Sequence, residues 1–202
     1  MLPAVFFSGP HGSGKTTLIN SIIQKNDCFI ENDYDINFLT EFPNIASLND
    51  FERSLVRLYH RYYTMNYCIN KGRTLDNKSI LVSRSIYDSI FYIETYYKLG
   101  WLEKNNYKLL KKVFNQIPDN PYTVILNPTI EKNLQRLEIR HNRGERKERN
   151  NIFSREDTAD FIVCMHDIVE SYRDINNVLY IEDNDDENID RVIGWVQKNG
   201  KY

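Results

Sequence analysis

The chain has 202 residues, with 26 Lys and Arg against 28 Asp and Glu, a formal charge of −2, 41% hydrophobic and 27% charged residues. Such a length and composition predict one globular domain over residues 1–202 and argue against extended disorder. The slightly acidic balance gives no global attraction to a long polyanion or an anionic membrane, so a phosphate site has to be built locally.

The opening apolar stretch AVFF has no basic segment before it and is too short for a signal-peptide core, so it reads as a first strand. No run approaches the roughly 18 apolar residues of a membrane-spanning helix. Cys28, Cys68 and Cys164 lack metal-ligand spacing and read as buried free thiols, which predicts a reducing, cytoplasmic location.

Short apolar runs recur at 4–8, 28–31, 80–83, 123–127 and 178–181, each separated from the next by enough chain for a helix. That alternation predicts an α/β fold of three layers, a five-stranded parallel sheet with helices on both faces. Between the second and third runs, Phe51, Leu55, Leu58, Tyr62, Met65 and Ile69 alternate at spacings of four and three, the stripe of a long helix. Further helices are expected from Ile86 to Gly100, from Leu102 to about Phe114, from Thr129 to about His141, from about Ser154, and from Glu187 to Gln197. The polar stretch RHNRGERKERNN between two of these reads as a mobile segment.

Residues 9–16 read GPHGSGKT, a match to G-x-x-x-x-G-K-[ST] placed after a strand and at the start of a helix. Gly9, Gly12 and Gly14 let the backbone turn so that N–H groups face phosphate oxygens, and the helix N-terminus adds partial positive charge. In that arrangement Lys15 bridges β- and γ-phosphates of ATP and Thr16 ligates Mg²⁺. Ser13 and Thr17 complete the cradle, and His11 is a variable loop position that shapes it. There is no N-K-x-D motif of GTPases, and no apolar run ending in the Asp-Glu pair of most motor ATPases.

The segment ILVSRSIYDSIFYIETYYKLGWL, 80–102, resembles the deoxynucleoside kinases, whose third strand ends in Glu-Arg-Ser before an aromatic-rich helix; here the tripeptide is Ser83-Arg84-Ser85. The helix carrying Arg136 and Arg140 resembles that family's approach to its lid, and NVLYIEDNDDENIDRV its last strand and adenine-side loop. The related thymidylate kinases share much of this. The resemblance implies a P-loop fold with strand order 2-3-1-4-5, an Arg-rich lid at about 141–154, and a homodimer as one assembly.

Arg84 follows a central strand at its carboxyl end, where α/β sheets bind ligands, and suits bidentate contact with phosphoryl oxygens or the acceptor. Arg136, Arg140, Arg143 and Arg146 share one face if their helix continues, with Arg140 and Arg143 the expected contacts to a transferring phosphoryl group. Phosphorylation of a sugar hydroxyl requires a proton acceptor; the resemblance places it on Glu31 or Asp33, and Asp33 is also the candidate magnesium ligand. The family's carboxylate at position 83, which assists magnesium binding, is replaced by Ser83, so either Asp33 or Asp35 compensates, directly or through water, or the protein keeps only nucleotide binding. Glu52, Arg53, Tyr59 and Tyr62 are the candidates for the base pocket on the long helix.

The expected reaction is transfer of the ATP γ-phosphoryl group to the 5′-hydroxyl of a (deoxy)nucleoside. A thymidylate-type nucleoside monophosphate kinase is the alternative. A kinase of nucleic-acid 5′ ends fits less well with the acidic balance, and a nucleotide-binding protein without phosphotransfer is permitted by Ser83.

Overall fold

The backbone of β1, Val5–Ser8, runs between two strands distant in sequence, which places the glycine-rich turn that follows it over the middle of a sheet. In a computed structural model, residues 2–32, 45–117, 121–143 and 155–199 are described. The other strands are β2 (Phe29–Glu31), β3 (Ser79–Ser83), β4 (Thr123–Leu126) and β5 (Val178–Ile181). All pair in parallel in the order β2-β3-β1-β4-β5. This is the order that the resemblance to the deoxynucleoside kinases implies.

The helices are α1 (Lys15–Lys25), α2 (Asp50–Gly72), α3 (Ile86–Lys98), α4 (Lys104–Phe114), α5 (Ile130–Asn142), α6 (Ala159–Glu170) and α7 (Asp186–Asn199). Short 3₁₀ turns at Ile45–Ser47 and Arg155–Asp157 precede α2 and α6. The helix expected from Ser154 therefore starts at Ala159, where Thr158 caps it by accepting a hydrogen bond from the Phe161 N–H. From residue 144 to 154 the expected lid lies outside the described residues.

Successive strand residues point to opposite faces, so each strand feeds two cores. Phe6, Ile80, Val82, Ile125 and Tyr180 pack with α2, α3 and α6 on one face. Val5, Phe7, Leu81, Val124 and Leu179 pack with α1 and α7 on the other. Both faces are apolar, which explains why the strands read as continuous runs rather than alternating ones. Each fully buried large side chain contributes about 2 kcal/mol.

The α2 stripe read from sequence is the one observed: Leu58 and Met65 are buried, and Phe51, Leu55, Tyr62 and Ile69 pack against that core. Asn49 and Glu52 close a reciprocal capping box at its start, at 3.0 and 2.9 Å. No helix among the described residues is long and apolar enough to cross a membrane.

Candidate active site

The turn after β1 contains three glycines with positive φ: Gly9 at 140°, Gly12 at 75° and Gly14 at 100°. A Cβ on Gly9 would lie 2.1 Å from the Leu126 carbonyl oxygen, so only glycine lets the loop leave β1 alongside β4. Gly14 precedes α1 in the left-handed region, and its Cβ would meet the Arg136 guanidinium at 3.2 Å and the Asn184 amide at 3.3 Å.

A cavity of about 570 Å³ opens beside this loop. His11, Gly12, Ser13, Gly14, Lys15, Thr16 and Thr17 line it from the loop and α1, Ser83 and Arg84 from the end of β3. Arg136, Ile139, Arg140 and Arg143 come from α5 and its end, and Asn184 from the loop after β5. Of the residues expected here from sequence, Gly9 contributes its carbonyl to Lys15 rather than a wall. Glu31 is exposed at the end of β2 and is not among the lining residues. Asp33 and Arg146 lie outside the described residues.

Lys15 is 7% exposed, and its ammonium donates to the carbonyls of Gly9 and Pro10 at 2.9 and 2.8 Å and to Ser13 Oγ at 2.9 Å. Burial, helped by the Arg84 charge and opposed by Asp88, pushes it down to about 7. A polyanion in the cavity reverses that shift. Arg136 fastens the loop from the other side, donating to the Ser13 carbonyl at 2.6 Å and to Asp183 and Asn184 at 3.1 and 2.8 Å. It thereby joins the phosphate loop to the loop after β5.

Thr16 lines the cavity at the first turn of α1. No group of three or more His, Cys, Asp or Glu that could hold a metal lies among the described residues. A single hydroxyl of this kind fits a magnesium ion that arrives on phosphate oxygens and keeps its waters, since that ion rarely uses an all-protein cage.

Several charged side chains that the sequence reading passed over lie behind the cavity. Glu156 is 3% exposed; its Oε1 accepts from Tyr96 and, at 3.3 Å, from Arg57, and its Oε2 lies 3.6 Å from His11 Nε2. Burial opposes its charge, but the His11 hydrogen bond and the Arg57 guanidinium outweigh that and bring it down to about 2. His11 also shares a hydrogen bond with the Tyr92 hydroxyl. Arg61 donates to Ser89 Oγ at 3.1 Å, and burial, with Arg84 and Arg57 nearby, pushes it down to about 10 despite Asp88.

None of the base-pocket candidates on α2 lines this cavity. Tyr59 is 58% exposed, Glu52 is spent on the cap, and Arg53 pairs with Asp50 and the Leu48 carbonyl. Tyr62 packs against the core. Arg57 and Arg61 lie behind the cavity, Arg57 bonded to Tyr96 and Glu156 and Arg61 to Ser89. Arg53, Arg57 and Arg61 recur every fourth residue, a spacing that reveals a basic stripe in the sequence.

No protein-family model matches the chain, and no curated protein sequence matches it. Solved structures do. Deoxyadenosine kinase from M. mycoides with the products dCMP and a flexible dCDP bound is 13% identical with a TM-score of 0.68, covering 96% of this chain and 99% of that one. The same enzyme with dATP bound gives 12% and 0.67 over the same shares, and with dCTP bound 13% and 0.63 over 97% and 99%. At such identities the likeness is one of fold, and the chain accordingly has a P-loop NTPase fold.

Proposed function

We propose that the protein is an ATP-dependent kinase that transfers the γ-phosphoryl group to the 5′-hydroxyl of a (deoxy)nucleoside. The observation that carries this reading is convergence: the phosphate loop, Lys15, Arg84, Arg136, Arg140 and Arg143 all line one cavity. Likeness of fold to deoxyadenosine kinases over nearly the whole chain supports the nucleoside as acceptor.

Phosphoryl transfer asks the protein for positioning and for charge where the transition state develops it. Backbone N–H groups of the loop and Lys15 hold the β- and γ-phosphates. Arg140 and Arg143 face the spreading charge, and Arg84 stands at the acceptor side. Thr16 would hold a magnesium ion carried in on the triphosphate, and that ion would supply charge neutralisation. Glu31 or Asp33 takes the hydroxyl proton.

Arg61 favours a second reading. A guanidinium whose side-chain hydrogen bond goes to a neutral serine, next to Arg84, suits an acceptor that already carries an ionised phosphate. Such a monophosphate needs no base. Product masses separate the two: a nucleoside monophosphate from MgATP and a nucleoside supports the first, and activity surviving Glu31→Ala with Asp33→Ala counts against it.

A further inference from the structure

We propose that Asp88 is a positioning residue for phosphoryl transfer: from the first turn of α3 it holds Arg84 at the cleft. This inference rests on the phosphotransfer reading above.

Ser83 lines the cavity without a carboxylate, and among the described residues none of the other lining side chains is an acid. Asp88 is 1% exposed and sits one layer behind them. Its Oδ2 accepts from Ser8 Oγ and from the Ser85 N–H, both at 2.8 Å, and its Oδ1 accepts from the Arg84 guanidinium at 3.2 Å. Ser8 Oγ also bonds Ser85 Oγ; because the single Ser8 proton goes to Asp88, Ser85 is the donor in that pair.

The parallel register of β1 on β3 sets Phe7 beside Ser83, so Ser8 falls level with the residues that follow β3. The carboxylate thus connects the last residue before the phosphate loop, the start of α3 and Arg84. Burial penalises its charge, yet Arg84, Arg61 and Lys15 together hold it ionised, well below the usual carboxylate range.

Arg84 needs such a hold. Its φ of 96° lies in the left-handed region, a conformation that a long side chain adopts only when its surroundings fix it. Two constraints are visible: its N–H donates to the Phe7 carbonyl at 2.9 Å, and its guanidinium is tied to Asp88. Cutting the second leaves the backbone in place and frees the side chain.

Asp88 also closes a capping box with Ser85, and a purely structural role would end there. Asparagine separates the two roles. Its amide oxygen still accepts from the Ser85 N–H, whereas its amide nitrogen offers Arg84 a donor where it needs an acceptor.

The experiment compares wild type, Asp88→Asn, Arg84→Gln and the double variant by steady-state kinetics with MgATP and a nucleoside, with thermal melts alongside. The expected result, read at a temperature where every variant is folded, is a kcat at least tenfold lower for Asp88→Asn with KM for ATP within threefold, and less than a twofold further loss when Asp88→Asn is added to Arg84→Gln; the melting temperature falls by several degrees because Arg84, Arg61 and Lys15 lose their buried counter-charge. Losses that multiply in the double variant, or a kcat that falls only as far as the folded fraction, would overturn it. If wild type phosphorylates no nucleoside, the nucleoside reading fails, and the same four proteins are compared on slow ATP hydrolysis by water. Wild type that binds ATP and transfers phosphate to neither acceptor contradicts both.

Discussion

His11 Nε2 lies 3.6 Å from Glu156 Oε2, so the phosphate loop is tied directly to the 3₁₀ turn that precedes α6. Arg57 and Tyr96 hold the other Glu156 oxygen, which makes this carboxylate a junction between the loop, α2, α3 and that turn. Breaking a buried pair from one side leaves charge without a partner and costs about 3 kcal/mol. Glu156→Gln is therefore expected to lower the melting temperature by roughly 6–12 °C at neutral pH, at about 2–4 °C per kcal/mol for a chain of this size.

The same carboxylate predicts an acid limit. Its folded value, about 2, is below its ordinary value of 4.5, so its contribution is complete above about 4.5 and is lost as pH falls from there to about 2. Wild type should lose melting temperature across that window faster than Glu156→Gln. Parallel curves for the two proteins would mean that Glu156 is not the acid-sensitive group.

Lys15 has the opposite sign. Its folded value is lowered to about 7 from 10.5, so its charge costs stability below about 7 and the cost fades as pH rises from 7 toward 10.5. Without nucleotide, Lys15→Met should melt a few degrees above wild type at pH 6.5, with the gap closing by pH 10. Binding of ATP restores the ammonium, so calorimetry at pH 8 in buffers of different ionisation enthalpy should register proton uptake in wild type and none in Lys15→Met.

Most of the fold was legible in the sequence, and for one reason. Strands covered on both faces leave short unbroken apolar runs, and the run 178–181 coincides with β5 to the residue. The phosphate loop was legible because its glycines and Lys15 act through local backbone geometry. The buried polar groups were not. Asp88 carries no signal in the sequence that sets it apart from other acids, and only the register of β1 on β3 brings Ser8 to it. His11 and Glu156 meet through tertiary packing that no spacing in the chain announces. On α2 the resemblance pointed to Tyr59, which is exposed, while the arginines at 57 and 61, one turn apart, reach the buried charges behind the cavity.

Two glycines of the loop should separate folding from binding. Gly9→Ala drives a methyl into the Leu126 backbone oxygen, which belongs to β4 and has no room to move, so folding itself should suffer. Gly14→Ala meets only the ends of Arg136 and Asn184. It should cost about 1–3 kcal/mol of backbone strain and displace Arg136 from the Ser13 carbonyl, weakening ATP binding in a protein that still folds. Melting curves and ATP titrations on the two variants check this; equal effects on both would contradict it.

Phosphate transfer from γ-labelled ATP with Mg²⁺, across nucleosides, nucleoside monophosphates and 5′-hydroxyl oligonucleotides, is the most direct test of the phosphotransfer claim. The expected result is label on a nucleoside in wild type and none in Lys15→Ala. ATP binding without label on any acceptor, or label that persists in Lys15→Ala, would contradict it.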